Sequence, residues 1–399
     1  MTEPDASLTA LEDAHASGGV RRRPVTIVRG EGAALFDAAG RRYVDLAAAH
    51  GWAALGHNHP EVTAAIRVQA ARLTMLTESA YSDVRARWFH ALVELLALDF
   101  PATARGGLTR VQPANSGAEA VEAALKFARR RTGRTDFVAF SRGFHGRTLG
   151  ALSATAPGPR RDAFAPLIPG FTHVPYDDLA AADAVIGDHT AGVVVEVIQG
   201  EGGVHEGATE FFQGLQRLCA ARGALLIADE IQTGFGRTGR WFAGAHHGLA
   251  PDVIVLGKAL GGGVPMGAAV WREGLGAFES GQHGSTFAGA PLACAASLAA
   301  LAVLQRERLH ERAARLGQRV MRDLRALDAP LVRDVRGRGL MIGIELKRRV
   351  GPVLEALMRR GVWALPAGLN VLRLLPPLVI SDDDLAAGVA AIGEALRDG

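Results

Sequence analysis

The chain of 399 residues has two cysteines, three lysines, three tyrosines and no uninterrupted apolar run of membrane length. Cys219 and Cys294 lie far apart in apolar company, which excludes a disulfide framework or a four-cysteine zinc site. So few cysteines predict a reducing compartment, the cytoplasm. Aromatics reach only 6%, and arginine is spread along the whole chain between acids. No basic stripe with interleaved aromatics exists, so a nucleic-acid role is not expected. Disorder is excluded by 48% apolar residues against a net charge of +3. Residues 280–305 carry no formal charge, but Gln282, His283, Ser285, Thr286 and Pro291 interrupt them. They read as a polar loop before a buried helix, not as a membrane span. Glu3, Asp5, Glu12 and Asp13 stand where a secretory leader would need basic and apolar residues.

The shortage of lysine is informative. Of 44 basic residues, only Lys126, Lys258 and Lys347 are primary amines. Each raises the question of what an amine does there that a guanidinium cannot.

The first twenty residues read as a mobile arm or short helix, followed by short strands at 25–28 and 34–45 around Gly32 and Gly40. Ser116 can cap a helix whose apolar positions Ala120, Val121, Ala124, Leu125 and Ala128 recur at helical spacing up to Gly133. Residues 137–140, 193–198, 225–228 and 253–256 are short apolar runs of the kind found in buried parallel strands, and a helix at 211–222 connects two of them. Beyond Arg306 a charged amphipathic helix at 306–327 opens a different texture. A strand at 340–346, a helix at 352–360, a strand at 371–375 and a helix from Ser381 follow. The predicted class is α/β: a mainly parallel sheet with helices on both faces, plus a smaller α+β lobe. The expected division is 1–60 as arm and strands of the small lobe, 61–306 as the large domain, and 307–399 as the small α+β domain.

Lys258 directly follows the apolar run 253–256 and Gly257, and precedes further glycines. An amine at the carboxyl end of a buried strand loses solvation, which lowers its pKa and makes it nucleophilic. The plain alternative is a lysine that binds a phosphate or carbonyl. Asp229 ends another such run, so both side chains can face the crevice outside the strand ends. A carboxylate there can keep a pyridine nitrogen protonated and so make the ring an electron sink; helix capping is the plain alternative. Ser116, Gly117 and Ala118 offer free amides at a helix start, a phosphate cradle. Phe144 can stack on a planar ring, and Arg147 can fork a carboxylate. Glu196 and Glu201 flank Gln199-Gly200 at a further strand end. Dinucleotide, P-loop and nucleophile-elbow patterns are missing. The pairs His57/His59 and His246/His247 read as turn and surface histidines, so no metal is expected.

Together these segments resemble the class III (ornithine-type) aminotransferases, pyridoxal-phosphate enzymes of fold type I. The carrying motifs are NSGAEAVEAALKFAR (115–129), GFHGRTLGALSAT (143–155), EVIQGEGGV (196–204) and LLIADEIQTGFGRTG (225–239). LGKALGGGVPMGA (256–268), HGSTFAGAPLACAA (283–296), RGRGLMIGIEL (336–346) and VLRLLPPLVI (371–380) complete them. The chain looks most similar to the acetylornithine branch, and within it to the variant that serves lysine or arginine synthesis on an amino-group carrier protein.

That resemblance implies pyridoxal 5'-phosphate as cofactor and a seven-stranded-type sheet. Lys258 would hold the cofactor covalently and move the substrate proton, Asp229 would pair with the ring nitrogen, and Gln232 would contact the ring hydroxyl. Phe144 would stack on the ring. Ser116, Gly117 and Ala118 would hold the phosphate with Thr286, which would reach over from a second subunit with Ser285 beside it. A homodimer with shared active sites follows. Arg147 and Arg373 would bind substrate carboxylates, with Glu201 controlling Arg373. The implied substrates are glutamate/2-oxoglutarate and an ω-amino or semialdehyde compound, free or on an acidic amino-group carrier protein.

Several positions depart from the family pattern. Val121 replaces a common asparagine, Val197 a proline, and Ala288 and Ala290 a glycine and an asparagine; His50 and Trp52 are unexpected in a segment that lines the substrate pocket. The rival readings are a 4-aminobutyrate or ornithine transaminase, a decarboxylating transaminase or aminomutase, and a non-catalytic cofactor-sensing regulator.

Overall fold

The computed structural model describes residues 5–20 and 22–397. A helix at Asp5–His15 precedes an antiparallel meander of β1 (Ile27–Glu31), β2 (Ala34–Asp37) and β3 (Arg42–Asp45). The next strands are β4 (Leu108–Ala114), β5 (Asp136–Phe140), β6 (Phe171–Val174) and β7 (Thr190–Glu196). A small hairpin follows, β8 (Ile198–Gln199) against β9 (His205–Glu206). Then come β10 (Leu225–Asp229), β11 (Val253–Leu256) and β12 (Gly267–Arg272).

Seven of these strands form one sheet in the order β4-β12-β11-β10-β7-β5-β6. Only β12 runs against its neighbours β11 and β4; the pairs β10/β11, β10/β7, β5/β7 and β5/β6 are parallel. The central strands are apolar between their ends, as a sheet covered on both faces requires. Leu225 and Ile227 pack on one face with Ala120, Val121, Ala124 and Phe127 of the Gly117–Thr132 helix. Leu226 and Ala228 pack on the other face with Phe211, Phe212 and Leu215 of the Thr209–Arg222 helix. The expected mainly parallel sheet with helices on both faces is thus present. The sheet also contains β4, β6 and β12, which the apolar-run reading does not pick out. β4 is interrupted by Arg110, Gln112 and Pro113, β12 is bounded by Gly267 and Arg272, and β6 is a four-residue edge strand.

The helix Pro291–Arg306 is buried along most of its length. The expected helix at 306–327 needs correction. Arg308 adopts φ 49°, which breaks the chain between that helix and a second one at Leu309–Arg325. A run of helical periodicity does not reveal a left-handed residue inside it. The chain ends with β13 (Val332–Arg338), β14 (Met341–Leu346), β15 (Val362–Trp363), β16 (Leu365–Ala367) and β17 (Val371–Leu374), then the helix Asp382–Arg397. β13-β14-β17-β16 form a sheet, whereas β15 runs parallel to β3 and ties the N-terminal meander to the C-terminal segment. The surface reading of His247 is also corrected. It is 5% exposed, packs on Phe212 and lies 3.0 Å from Glu206. No helix among the described residues is long and apolar enough to cross a membrane.

Candidate active site

The carboxyl ends of the central strands converge on one edge of the large sheet, and the chemistry-bearing residues lie there. In the sheet register Asp229 stands beside Glu196 on β7 and Val255 on β11; Lys258 is three residues beyond Val255. Lys258 opens a short 3₁₀ turn with φ 46°, a conformation that non-glycine residues adopt at a cost and that collects at functional sites. Burial lowers its amine pKa below the ordinary lysine value, against the opposing pull of Asp229 and Glu201. The amine is therefore biased toward the neutral, nucleophilic form.

Asp229 is buried, and its Oδ2 lies 2.7 Å from His145 Nδ1 while its Oδ1 accepts a hydrogen bond from the Ile231 amide at 3.0 Å. Burial alone would lower the His145 pKa, but the bond and charge of Asp229, with Glu196 nearby, outweigh it and raise it. His145 thus stands directly against the Asp229 carboxyl at the strand end. His145 is a residue of this cluster that the sequence reading passed over. It lies between Phe144 and Arg147 in a motif already singled out, but nothing in the chain links it to an aspartate 84 positions away. Glu196 is likewise structural support. Its carboxylate accepts hydrogen bonds from the amides of Phe144 (2.9 Å) and Gly200 (3.2 Å), which ties the loop bearing Phe144 to the loop bearing Glu201. Burial pushes its own pKa up.

The proposed cradle lies at the adjacent helix start. The Ser116 side chain accepts a hydrogen bond from the Glu119 amide at 3.2 Å and caps the helix, and Gly117 and Ala118 form its first turn. Glycines let three segments close here. A Cβ on Gly267 would lie 2.3 Å from the Ser116 carbonyl, one on Gly117 would strike Ile231, and one on Gly146 would meet Ala118. Ser285 accepts a hydrogen bond from Asn115 at 3.0 Å, so the 283–286 loop rests beside the cradle of its own chain. Thr286 lines the open hollow above it with Gln112 and His283. Phe144 is half-buried at the same edge.

A second cluster faces this one. Arg373, on β17 and fully buried, donates from Nη1 to Glu201 at 2.6 Å and to Gln232 at 3.2 Å. Its Nη2 donates to His50 Nδ1 at 3.1 Å. Gln232, expected on a cofactor hydroxyl, thus bonds Arg373 in this structure. Burial alone would raise the Glu201 pKa, but His50 and Arg373 overcome that and bring it down to about 2. Glu201 sits in the turn between β8 and β9, next to carbonyls of Gly203 and Val204 that Arg336 holds from β13. Arg147 is exposed and stands apart from this cluster.

A buried amine, an acid backed by a histidine, a helix-start amide cradle and a half-buried phenyl ring on one sheet edge fit a phosphorylated pyridine aldehyde. The comparisons with known proteins agree. The model of the family described as aminotransferase class-III matches residues 16–396. The chain is 45% identical over 379 residues to the acetylornithine aminotransferase of Methanopyrus kandleri, covering 94% of this chain and 95% of that one. It is 42% identical to the [LysW]-aminoadipate semialdehyde transaminase of Deinococcus radiodurans, over 98% of this chain and 90% of that one. Among solved structures, the ornithine aminotransferase of Toxoplasma gondii superposes with a TM-score of 0.93 at 33% identity, over 99% of this chain and 96% of that one. The acetylornithine aminotransferase of Elizabethkingia anophelis gives 0.87 at 32%, with both chains fully covered. The chain belongs to the class III aminotransferases, fold type I enzymes that use pyridoxal phosphate.

Proposed function

We propose that this aminotransferase takes the amino group of glutamate and passes it to the terminal semialdehyde of an N-protected amino acid, giving 2-oxoglutarate and a protected ornithine or lysine. The observation that carries this reading is the Glu201–Arg373 pair. Glutamate brings two carboxylates and needs two cationic partners, whereas a substrate that reacts at a terminal amine brings none near the second. Arg147 would take the carboxylate common to both. Arg373 would take the second carboxylate of glutamate once Glu201 swings aside, and would be neutralised by Glu201 for the other substrate. An unpaired buried guanidinium would otherwise weaken binding of that substrate.

Bound at the strand ends, pyridoxal phosphate supplies an electron sink that acidifies the C–H bond beside the reacting nitrogen. The chain supplies the rest. Ser116, Gly117 and Ala118, joined by Thr286 from a second subunit, would hold the phosphate, with Ser285 beside it. Phe144 would stack on the ring, Asp229 would hold the ring nitrogen protonated, and Gln232, released by Arg373, would reach the ring hydroxyl. The Lys258 amine would take the substrate proton and return it to the carbon on the other side of the reacting nitrogen. Residues 61–306 would carry the cofactor, and 1–60 with 307–399 the small lobe that brings Arg373.

The acceptor we favour is an aminoadipate-derived semialdehyde on an acidic carrier protein, with N-acetylglutamate semialdehyde as the alternative. The D. radiodurans relative supports the first and the M. kandleri relative the second. Arginine scattered over the surface would favour docking of an acidic carrier by long-range attraction. A donor screen tests the reading. The cofactor absorbance of the purified holoenzyme is followed while glutamate, N-acetylornithine, carrier-linked lysine, free ornithine and 4-aminobutyrate are each added. Fast discharge by glutamate and by carrier-linked lysine, with N-acetylornithine slower, is expected. Equal or faster discharge by N-acetylornithine would move the enzyme to arginine synthesis. Preference for free ornithine or 4-aminobutyrate would overturn the protected-substrate reading.

A further inference from the structure

His50 is not an ordinary wall residue. It touches both members of the pair on which the substrate choice depends, accepting a hydrogen bond from Arg373 Nη2 at 3.1 Å with its Nδ1 only 3.6 Å from Glu201 Oε1. Its Nδ1 lies between a guanidinium that can only donate and a carboxylate that can only accept. One ring nitrogen thus faces a cation and an anion at once, and its proton decides which of them it can bond.

The backbone holds the ring at this place at a cost. Ala48, Ala49 and His50 have φ 41°, 48° and 63°, followed by Gly51 at 86°. Left-handed residues normally occur singly, so three non-glycine ones in a row are costly. Asp45 offsets part of that. Its buried Oδ1 accepts hydrogen bonds from the amides of Ala47 (2.8 Å) and Ala48 (2.9 Å), and its Oδ2 lies 2.8 Å from His57. Strain maintained in this way at the lip of a site points to a positioning task.

We propose that His50 is a proton-responsive third member of the Glu201–Arg373 pair, which holds the pair closed when neutral and releases Arg373 to a dicarboxylate when protonated. The inference rests on the reading of Arg373 as a carboxylate-binding residue. Protonation of Nδ1 removes the acceptor for Arg373 Nη2, places two cations side by side, and gives Glu201 a second cationic partner. All three changes favour an incoming carboxylate at Arg373. Arg373 from β17 and Glu201 from the β8–β9 turn face the ring, and the charged groups on the segments packed against its turn are Lys258 and, beneath the turn itself, Asp45.

The test uses the holoenzyme and two donors, glutamate and N-acetylornithine. Single-turnover discharge of the cofactor gives an apparent affinity for each, and their ratio cancels titration of the cofactor itself. Between about pH 8 and about pH 5.5 the ratio should move roughly five- to tenfold toward glutamate in the wild-type enzyme, the span available to one proton. In His50→Asn it should stay flat. Asparagine tolerates the left-handed backbone and keeps an acceptor near the Nδ1 position, so the variant removes the proton and not the fold. A flat wild-type ratio, or a slope that His50→Asn retains, overturns the role of His50. Arg373→Met separates the two levels. Selective loss of glutamate in that variant leaves the carboxylate reading standing even when His50 fails, and equal loss for both donors removes both.

Discussion

Lys258→Ala should lose transamination by more than about 10⁴-fold while the protein still folds, because both a nucleophile and a general base disappear at once. The side chain leaves the end of β11 at a residue with φ 46°, and burial lowers its pKa. Neither feature helps a structural lysine; both serve an amine that must be neutral to react. Lys258→Arg should be as inactive, since a guanidinium does not give up its proton at any working pH. A small primary amine added to Lys258→Ala should restore part of the proton transfer and should restore none in Lys258→Arg, whose bulk occupies the space. Steady-state turnover with glutamate and 2-oxoglutarate checks the first point, and the amine titration the second. Retention of more than a few per cent of activity in Lys258→Ala would exclude it as the base.

Asp229→Asn should cost on the order of 10³-fold in turnover, the scale seen when a preorganised charge is removed from a reacting centre. The shape of the side chain is kept, so the loss reports charge. Once the carboxylate is gone, burial prevails and the His145 pKa falls, because the bond and charge of Asp229 are what raise it. The histidine resonance of His145 should accordingly titrate at lower pH in the variant, and this is measurable without turnover. His145→Ala tests the same link from the other side. It leaves Asp229 without its 2.7 Å partner and should lower turnover less than Asp229→Asn does, because the carboxylate remains. Equal losses in the two variants would mean that the histidine, and not the acid, carries the charge.

Much of this arrangement is legible in the chain. Short apolar runs ending in Asp229 and just before Lys258 announce parallel strands and their functional ends, and β11 spans the expected residues. Ser116 and Gly133 bracket a helix through local chemistry, a side-chain cap at one end and a left-handed glycine at the other. Features that depend on distant partners are hidden. β4 and β12 read as mixed sequence until they pair with each other and with β11. Arg308 breaks a run whose apolar periodicity continues across it. The contacts His145–Asp229 and His50–Arg373 join segments 84 and 323 residues apart, and no local pattern encodes them. Gln232 shows the converse. The motif that contains it suggests a cofactor contact, while the side chain here bonds Arg373 on β17.

The central claim is that one site serves two differently charged substrates because Glu201 neutralises Arg373 for one and yields it to the other. The most direct measurement is the ratio of apparent affinities for glutamate and for N-acetylornithine in Glu201→Ala against wild type, read from single-turnover discharge of the bound cofactor. Removing the 2.6 Å ion pair should shift the ratio toward glutamate by about 10- to 100-fold, the worth of one charge-assisted hydrogen bond. Glutamate should gain and N-acetylornithine should lose. Equal changes for both donors, or a shift toward N-acetylornithine, would contradict the account and leave Glu201–Arg373 a fixed structural pair.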